Sequence, residues 1–370
     1  MRKFLIRTDS SIEIGTGHVF RCLSLAEGLQ KRGWHIIFLC RDFEGAFIEV
    51  IRSKGFEVIK LPADLSGVYS EAKRLKRFEG TVLKHASWLN ASQAEDAVAV
   101  THALMPLNCN HQDWLFVDHF ALDARWESYF QSVFGFQLAV IDGQADRAHS
   151  AALLLDPTIC LTTNKWKAFI SSNTQLYQGL SYIPIHPRFF IAQGNSTVRV
   201  KLQTILIGFG GVDLNNYTRT ALQALLELPI SNIDVHVIVG RNYPHLSELE
   251  TICQQFDFVF LHVQTDKVEA LMQKADLAIG AGGSMAWERC LLYLPTLVAV
   301  IADNQRQQVA CLEKQGIAIN VGDDPERFSV EIKEVVMNLI LNPDKLMAMS
   351  KRAYVLAGDV KPNAWVGLFE

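Results

Sequence analysis

Much that would narrow the function of this 370-residue chain at once is absent from it. No apolar run reaches the ~18 residues of a membrane span, and residues 1–15 lack the apolar core of a signal peptide. A cytoplasmic protein without stable membrane insertion is expected. Positive charge is not in excess, since 35 Lys and Arg stand against 39 Asp and Glu for a net charge of −4, with a pI near 6.3. That balance excludes a protein that grips nucleic acid by bulk charge. The seven cysteines, at 22, 40, 109, 160, 253, 290 and 311, include no pair two residues apart and no cluster with histidine. The common zinc patterns are thereby excluded, and scattered reduced thiols are expected. An Asp-x-Asp pair, with which many nucleotide-diphosphate transferases hold a metal, is missing too. Chemistry without metal or cofactor is the expectation.

What is present is apolar content enough for two cores, at 49% hydrophobic and 20% charged residues. The length fits two domains. Strand-like runs at 3–7, 35–40, 57–61, 114–118 and 137–142 alternate with helical stretches, among them one across 93–105. A second series falls at 204–208, 235–239, 258–262, 276–279 and 296–300. Such alternation predicts parallel sheets with helices on both faces, so the fold class is α/β with two Rossmann-like domains. The stretch 183–200, with its two prolines and polar Gln-Gly-Asn-Ser segment, reads as the linker. The expected division is 1–190, carrying a catalytic histidine, then 200–350, then a tail over 351–370.

Three glycine-rich turns stand at strand ends. The first strand runs through Thr8-Asp9-Ser10 to Gly15-Thr16-Gly17-His18. From there a helix continues, with Val19, Leu23, Ala26 and Leu29 on one face and Gly33 as a left-handed cap. A helix N-terminus attracts an anion and disfavours protonation of a nearby histidine. His18 is therefore the candidate general base. The same residues also fit a packing turn followed by an idle, half-exposed histidine. They fit less well a nicotinamide fingerprint with Arg41-Asp42 on the ribose, because Phe20 stands where a third glycine belongs.

The second half repeats the device. Phe209-Gly210-Gly211-Val212-Asp213 precedes a helix over 214–228, and Gly280-Ala281-Gly282-Gly283-Ser284 precedes one containing Trp287-Glu288-Arg289. Glycine turns let phosphate approach the backbone, so Gly210, Gly211, Gly282, Gly283 and Ser284 are candidate diphosphate contacts. Glu288, four residues after Ser284, is placed to reach a ribose or is an ordinary surface carboxylate. Asp303-Asn304-Gln305 at a further strand end suits a polyol ligand or caps a helix.

Taken together, several segments resemble a known family. They are Ile14-Gly15-Thr16-Gly17-His18-Val19-Phe20-Arg21-Cys22-Leu23, Trp88-Leu89 followed by Asp96-Ala97, and Val117-Asp118-His119-Phe120-Ala121-Leu122-Asp123-Ala124-Arg125-Trp126-Glu127. Ala145-Asp146-Arg147, Gly282-Gly283-Ser284-Met285-Ala286-Trp287-Glu288-Arg289-Cys290 and Ala302-Asp303-Asn304-Gln305 complete the set. Over roughly residues 1–310 the chain is similar to the UDP-2,4-diacetamido-2,4,6-trideoxy-β-L-altropyranose hydrolases of pseudaminic acid biosynthesis. It is more distantly similar to the lipid-intermediate N-acetylglucosaminyltransferase of peptidoglycan synthesis.

The resemblance implies the GT-B fold, two Rossmann-like domains facing a cleft. It also implies inverting hydrolysis of a UDP-sugar at C1, whose product enters flagellin or another cell-surface glycan. His18 would take the proton of water, Asn304 would orient water or a sugar amide, and Glu288 would bind the ribose. Asp9, Gly15, Gly17, His119 and Gln305 join the glycines as expected substrate contacts. Phe120 stands where the family has tyrosine, Gly143 where it has a second aspartate, and 156–182 lacks an Asp-Gln-Asn run. These departures bear on the choice of sugar. The rivals are a glycosyltransferase with the same donor site, for which Lys73-Arg74-Leu75-Lys76-Arg77 would be the basic patch, and a UDP-sugar-binding protein without catalysis.

Overall fold

A computed structural model describes residues 2–65, 70–160, 163–230 and 232–370. The chain divides into two compact units, Met1–Pro184 with Asn363–Glu370, and Ile185–Pro362.

In the first unit the strands are β1 (Lys3–Thr8), β2 (His35–Arg41), β3 (Glu57–Leu61), β4 (Trp114–Asp118), β5 (Gln137–Ile141), β6 (Leu153–Asp156) and β7 (Gln175–Gln178). All pair in parallel, in the order β3-β2-β1-β4-β5-β6-β7. The helices are α1 (Gly17–Gln30), α2 (Ile48–Ser53), α3 (Gln93–Leu104) and α4 (Ala124–Phe134). Because helices cover both faces, the central strands are apolar throughout rather than alternating. Phe4 and Ile6 of β1 join one core with Val19, Leu23 and Leu29 of α1. Leu5 joins the other, with Leu115, Val117, Trp126 and Phe130. Helix α1 stops where Gly33 turns to a φ of 84° and the Trp34 N–H bonds back to the Leu29 carbonyl. Helix α3 opens on a capping box between Ser92 and Glu95.

The second unit holds β8 (Thr204–Gly208), β9 (Asp234–Val239), β10 (Val259–Val263), β11 (Leu277–Ala281), β12 (Thr296–Ala299) and β13 (Ala318–Asn320). They are also parallel, in the order β10-β9-β8-β11-β12-β13. Around them lie α5 (Pro187–Gln193), α6 (Tyr217–Leu226), α7 (Leu246–Cys253), α8 (Val268–Lys274), α9 (Met285–Leu291), α10 (Arg306–Lys314), α11 (Pro325–Leu341) and α12 (Pro343–Ala357). In both sheets the strand order reverses direction beside the first strand, at β1/β4 and at β8/β11. Ligands of doubly wound folds bind at such carboxyl-end crevices.

Three features differ from the sequence expectation. The stretch 183–200 is not bare linker, since His186 caps α5 there through Nδ1. The segment after 350 is no separate tail: α12 belongs to the second unit, whereas the last eight residues pack on the first. Trp365 is fully buried against α1, and Phe369 meets Phe4 and Trp114 edge-on at 5.0 and 5.1 Å. Short strands β6, β7 and β13 extend both sheets. Cys22, Cys40, Cys109, Cys253 and Cys290 are free thiols, so the expectation of reduced thiols holds at those five. Among the described residues no helix is long and apolar enough to cross a membrane.

Candidate functional site

In the first unit, parallel register sets Thr8 beside Asp118, so the ends of β1 and β4 open together at the reversal point. The turn after β1 is held by Gly15, whose φ of 76° suits glycine and whose N–H bonds to the Ser11 carbonyl at 2.9 Å. Gly17 then starts α1, and the next residue, His18, points its ring at the end of β4. His18 Nδ1 lies 2.5 Å from Asp118 Oδ1. Arg21, one turn further along α1, donates to both oxygens of the same carboxylate, its Nε to Oδ2 at 2.5 Å.

Burial opposes ionisation of Asp118. The charges of Arg21 and His18 and their hydrogen bonds outweigh that and hold it well below the usual carboxylate range. An ionised carboxylate can only accept, and Asp118 Oδ1 at 2.5 Å is nearer to His18 Nδ1 than is Arg21 Nη2 at 3.1 Å, so the proton of a neutral ring is assigned to Nδ1 and the lone pair to Nε2. His18 is 8% exposed. Its ring is edge-on to Phe120 at 4.9 Å and to Trp88 at 6.0 Å. A base oriented by a buried acid and bordered by apolar rings is an arrangement suited to removing a proton.

Asp9 and His119 lie beneath this pair rather than in the open. Asp9 Oδ1 bonds Arg7 at 2.6 Å, and Asp9 Oδ2 lies 3.1 Å from His119 Nε2. The other His119 nitrogen accepts from the Ala121 N–H. They are 1% and 3% exposed. Asp96 completes the network, bonding Arg7, Arg41 and Trp126 at 2.8 to 2.9 Å. Burial disfavours the charge of Asp9, but Arg7 and His119 together drive its pKa down. Burial also lowers His119, against the pull of Asp9. The two groups turn their polar atoms on each other and on Arg7, and so brace the strand ends.

In the second unit the two glycine turns prove unlike. After β8, Gly210 has a φ of 98°, and the Gly211 carbonyl presses on Gly240 so closely that a Cβ there would sit 2.2 Å from it. The helix behind, α6, begins only after Asn216. Its first N–H groups are taken by the Asp213 carboxylate, which accepts from Tyr217 and Thr218 at 3.0 and 2.7 Å. Gly210 is there for its left-handed backbone, since a Cβ on it would meet nothing within 4 Å, the close approach is that of the Gly211 carbonyl to Gly240, and the chain's own Asp213 takes the place of an anion at this helix.

The turn after β11 is different. Ser284, at the N-cap of α9, makes no side-chain cap bond. The first turn closes through Ala286 to Gly283 and Trp287 to Ser284. Among the described residues no acceptor takes the N–H of Gly283 or Ser284. Gln305 lies over this turn, its Nε2 3.6 Å from where a Gly283 Cβ would be, and its Oε1 accepts weakly from the Ile301 N–H at 3.4 Å. Asn304 shares the short turn Asp303–Gln305 and is half-buried. Gly282, Gly283, Ser284, Asn304 and Gln305 thus come together at the ends of β11 and β12.

Glu288 follows one turn along α9. Burial pushes its carboxyl up to about 7, Arg188 and Arg289 pull it down, and Glu269 adds to the rise. Arg289 is itself lowered to about 10 by burial, partly offset by Glu288, and donates to the Ala281 carbonyl at 2.5 Å. Among the described residues no three His, Cys, Asp or Glu side chains group as a metal site.

Sequence reasoning missed Asp118 and Arg21 as partners of His18. The signal for Arg21 was its i+3 spacing on α1, and for Asp118 an acid ending the apolar run of β4.

Residues 204–361 match the glycosyltransferase family 28 C-terminal domain. Over 317 residues the chain is 22% identical to the UDP-2,4-diacetamido-2,4,6-trideoxy-β-L-altropyranose hydrolase of Campylobacter jejuni, covering 86% of this chain and 98% of that one. It is 27% identical over 157 residues to the spore coat polysaccharide biosynthesis protein SpsG of Bacillus subtilis, a match spanning 42% of this chain and 46% of the relative. Among solved structures, Acinetobacter baumannii MurG superposes with a TM-score of 0.61 at 13% identity, covering 100% of this chain and 98% of that one. The spinosyn rhamnosyltransferase SpnG gives 0.66 at 16%, with the same coverage. At such identities structural likeness speaks for fold alone, and with the strand order of both units it shows that the chain has the GT-B fold.

Proposed function

We propose that the protein hydrolyses a UDP-2,4-diacetamido-2,4,6-trideoxyhexose to UDP and the free sugar, with inversion at C1. The observation that carries this is the His18–Asp118 pair at the β1/β4 reversal point, where the ring's tautomer leaves Nε2 as the base. The named hydrolase of C. jejuni, alignable along 86% of the chain, supports the choice of substrate.

In this mechanism water is placed against C1 and gives its proton to His18 Nε2 as its oxygen forms the new C1–O bond. The bond from C1 to the diphosphate oxygen breaks with its electron pair going to UDP, and His18 later releases the proton to solvent. Asp118, already balanced by Arg21, stabilises the imidazolium while it lasts. A positioned base of this kind is worth about 10² to 10⁴ in rate. Negative charge grows on the departing diphosphate, so the Gly283 and Ser284 N–H groups act most strongly in the transition state. Glu288 binds the ribose, and Asn304 and Gln305 orient sugar or water. With the leaving group held so, no metal is required.

Transfer to an acceptor hydroxyl is the second possibility. The family 28 domain match favours it, as do Ile12 and Phe20, apolar and 41% and 43% exposed on either side of the His18 turn.

Phosphorus and proton NMR with UDP-2,4-diacetamido-2,4,6-trideoxy-β-L-altropyranose, a chelator and no acceptor decides between them. Steady release of UDP and the inverted free sugar is expected. A bound donor that stays intact until an acceptor is added would overturn hydrolysis.

A further inference from the structure

His85 takes no part in the chemistry above, yet it sits against the same rings as His18. It occupies the N-cap position of the short turn Ala86–Leu89, where its side chain makes no capping bond. It is 8% exposed, and its buried Nδ1 has no hydrogen-bond partner among the described residues. Its ring lies 4.8 Å from Trp88 and 5.4 Å from Phe120. Those two rings are stacked on each other at 5.8 Å, and His18 meets both edge-on. Two imidazoles therefore border one aromatic pair, one engaged by a carboxylate and the other with its buried Nδ1 unpartnered among the described residues.

An orphaned buried nitrogen is a standing cost to the fold when no ligand uses it. No packing advantage accounts for a histidine here, since a phenylalanine would contact the same rings without that cost. Burial lowers His85 below its ordinary value against the pull of Asp146, and Lys84, Arg147 and His18 lower it further. At neutral pH the ring is uncharged, with one donor and one acceptor. A phosphate would call for an uncommitted cation or a row of N–H donors, but the Arg147 guanidinium beside Phe120 is already paired with Asp142 and Asp146 at 3.2 and 3.0 Å. A bare hydroxyl would leave the aromatic faces without an apolar partner. A group with a methyl on one side and an amide on the other satisfies both the rings and the nitrogen.

We propose that His85, Trp88 and Phe120 form the subsite for an N-acyl substituent of the donor sugar, with His85 the residue that reads its amide. This rests on the nucleotide-sugar function proposed above and names the substituent that function must recognise.

The test compares the wild type, His85→Phe and His85→Asn on three donors: UDP-2,4-diacetamido-2,4,6-trideoxy-β-L-altropyranose and its two mono-deacetylated analogues. Steady-state kinetics are paired with calorimetric titration of donor and of UDP. His85→Phe, which keeps the ring contacts, is expected to raise KM for the diacetamido donor about tenfold, with kcat changed less than about threefold. For one of the two analogues that penalty should vanish, and His85→Asn, which restores a hydrogen-bonding atom near Nδ1, should recover part of the loss. UDP affinity should stay constant and serves as the folding control. Equal losses on all three donors, or none, would overturn the subsite while leaving hydrolysis standing. Donor binding that shows the same discrimination without UDP release would overturn hydrolysis and leave the subsite standing.

Discussion

The two units share one topology and use it oppositely. Both sheets reverse direction beside their first strand, yet the first unit fills the reversal point with side chains and the second with backbone. At β1/β4 the carboxyl ends carry Asp9, Asp118 and His119, and helix α1 adds His18 and Arg21. At β8/β11 the corresponding positions are Gly208, Gly210, Gly280 and Gly282. A Cβ on Gly280 would lie 2.3 Å from the Gly208 carbonyl and 2.7 Å from Arg289. The contrast assigns roles. Charged side chains held by a buried network can change protonation state, which suits bond making. Backbone N–H groups cannot titrate, which suits them to hold a diphosphate, as proposed, without competing for its protons.

The largest expected effect comes from removing the base. His18→Ala should lower kcat about 10³-fold while UDP affinity measured by calorimetry stays within about twofold, because the nucleotide contacts proposed above lie in the other unit. Unchanged turnover would remove His18 from the mechanism and with it the contrast between the units. Asp118→Asn should follow at about 10²-fold. An amide can donate to Nδ1, which turns the ring to the tautomer with its proton on Nε2 and abolishes the base. The same change removes the buried carboxylate that balances the Arg21 charge, so the first unit should also lose stability in denaturant unfolding, about 1–3 kcal/mol. A loss of stability with normal turnover would show that the pair is structural.

How much of this is legible in the sequence follows from the same contrast. The central strands are readable because sheets covered on both faces need runs such as Phe4-Leu5-Ile6 and Trp114-Leu115-Phe116-Val117. The edge strand β7 is not readable, since Gln175-Leu176-Tyr177-Gln178 carries half its residues polar. Trp365 and Phe369 read as a tail because nothing local says what surface they bury. His18 and the glycine turn at 282–284 stand out through local spacing alone. The partnership of His18 with Asp118 spans 100 positions and arises from strand register, which one sequence does not display. Asp213 escapes notice for the opposite reason. A helix cap is a local feature, but the glycines beside it invite a phosphate instead.

A pH titration of stability should separate the units. His149, clamped between Glu127 at 2.6 Å and Asp142 at 3.1 Å, is raised from 6.5 to about 9, burial being outweighed by the two carboxylates. Its contribution is fully present below about 6.5 and is lost as pH rises through 9. Glu288, raised from 4.5 to about 7 by burial, costs the second unit nothing below about 4.5, where it is neutral in both states, and its burial penalty grows as pH rises from there and is complete above 7. Each amounts to about 3 kcal/mol. Hydrogen exchange resolved by unit should show the second loosening first as pH rises. Glu288→Gln should flatten its dependence and His149→Asn that of the first unit. A shared midpoint would contradict the separation.

The smallest expected effect is the most selective. Gly282 and Gly283 are adjacent, yet a Cβ on Gly282 would sit 2.3 Å from Val309 Cγ2, while one on Gly283 meets nothing nearer than Gln305 Nε2 at 3.6 Å. Gly282→Ala must therefore displace α10 or β11 and should cost about 1–3 kcal/mol of stability. Gly283→Ala fits, so its unfolding midpoint should not move. If the second unit binds diphosphate through backbone, that methyl stands between the Gly283 N–H and the phosphate, and UDP affinity should fall about tenfold with kcat on saturating donor nearly kept. A stable Gly283→Ala that binds UDP as tightly as the wild type would move the diphosphate away from this turn. The N-terminus of α9 would then stand like that of α6, where the chain's own Asp213 takes the first N–H groups.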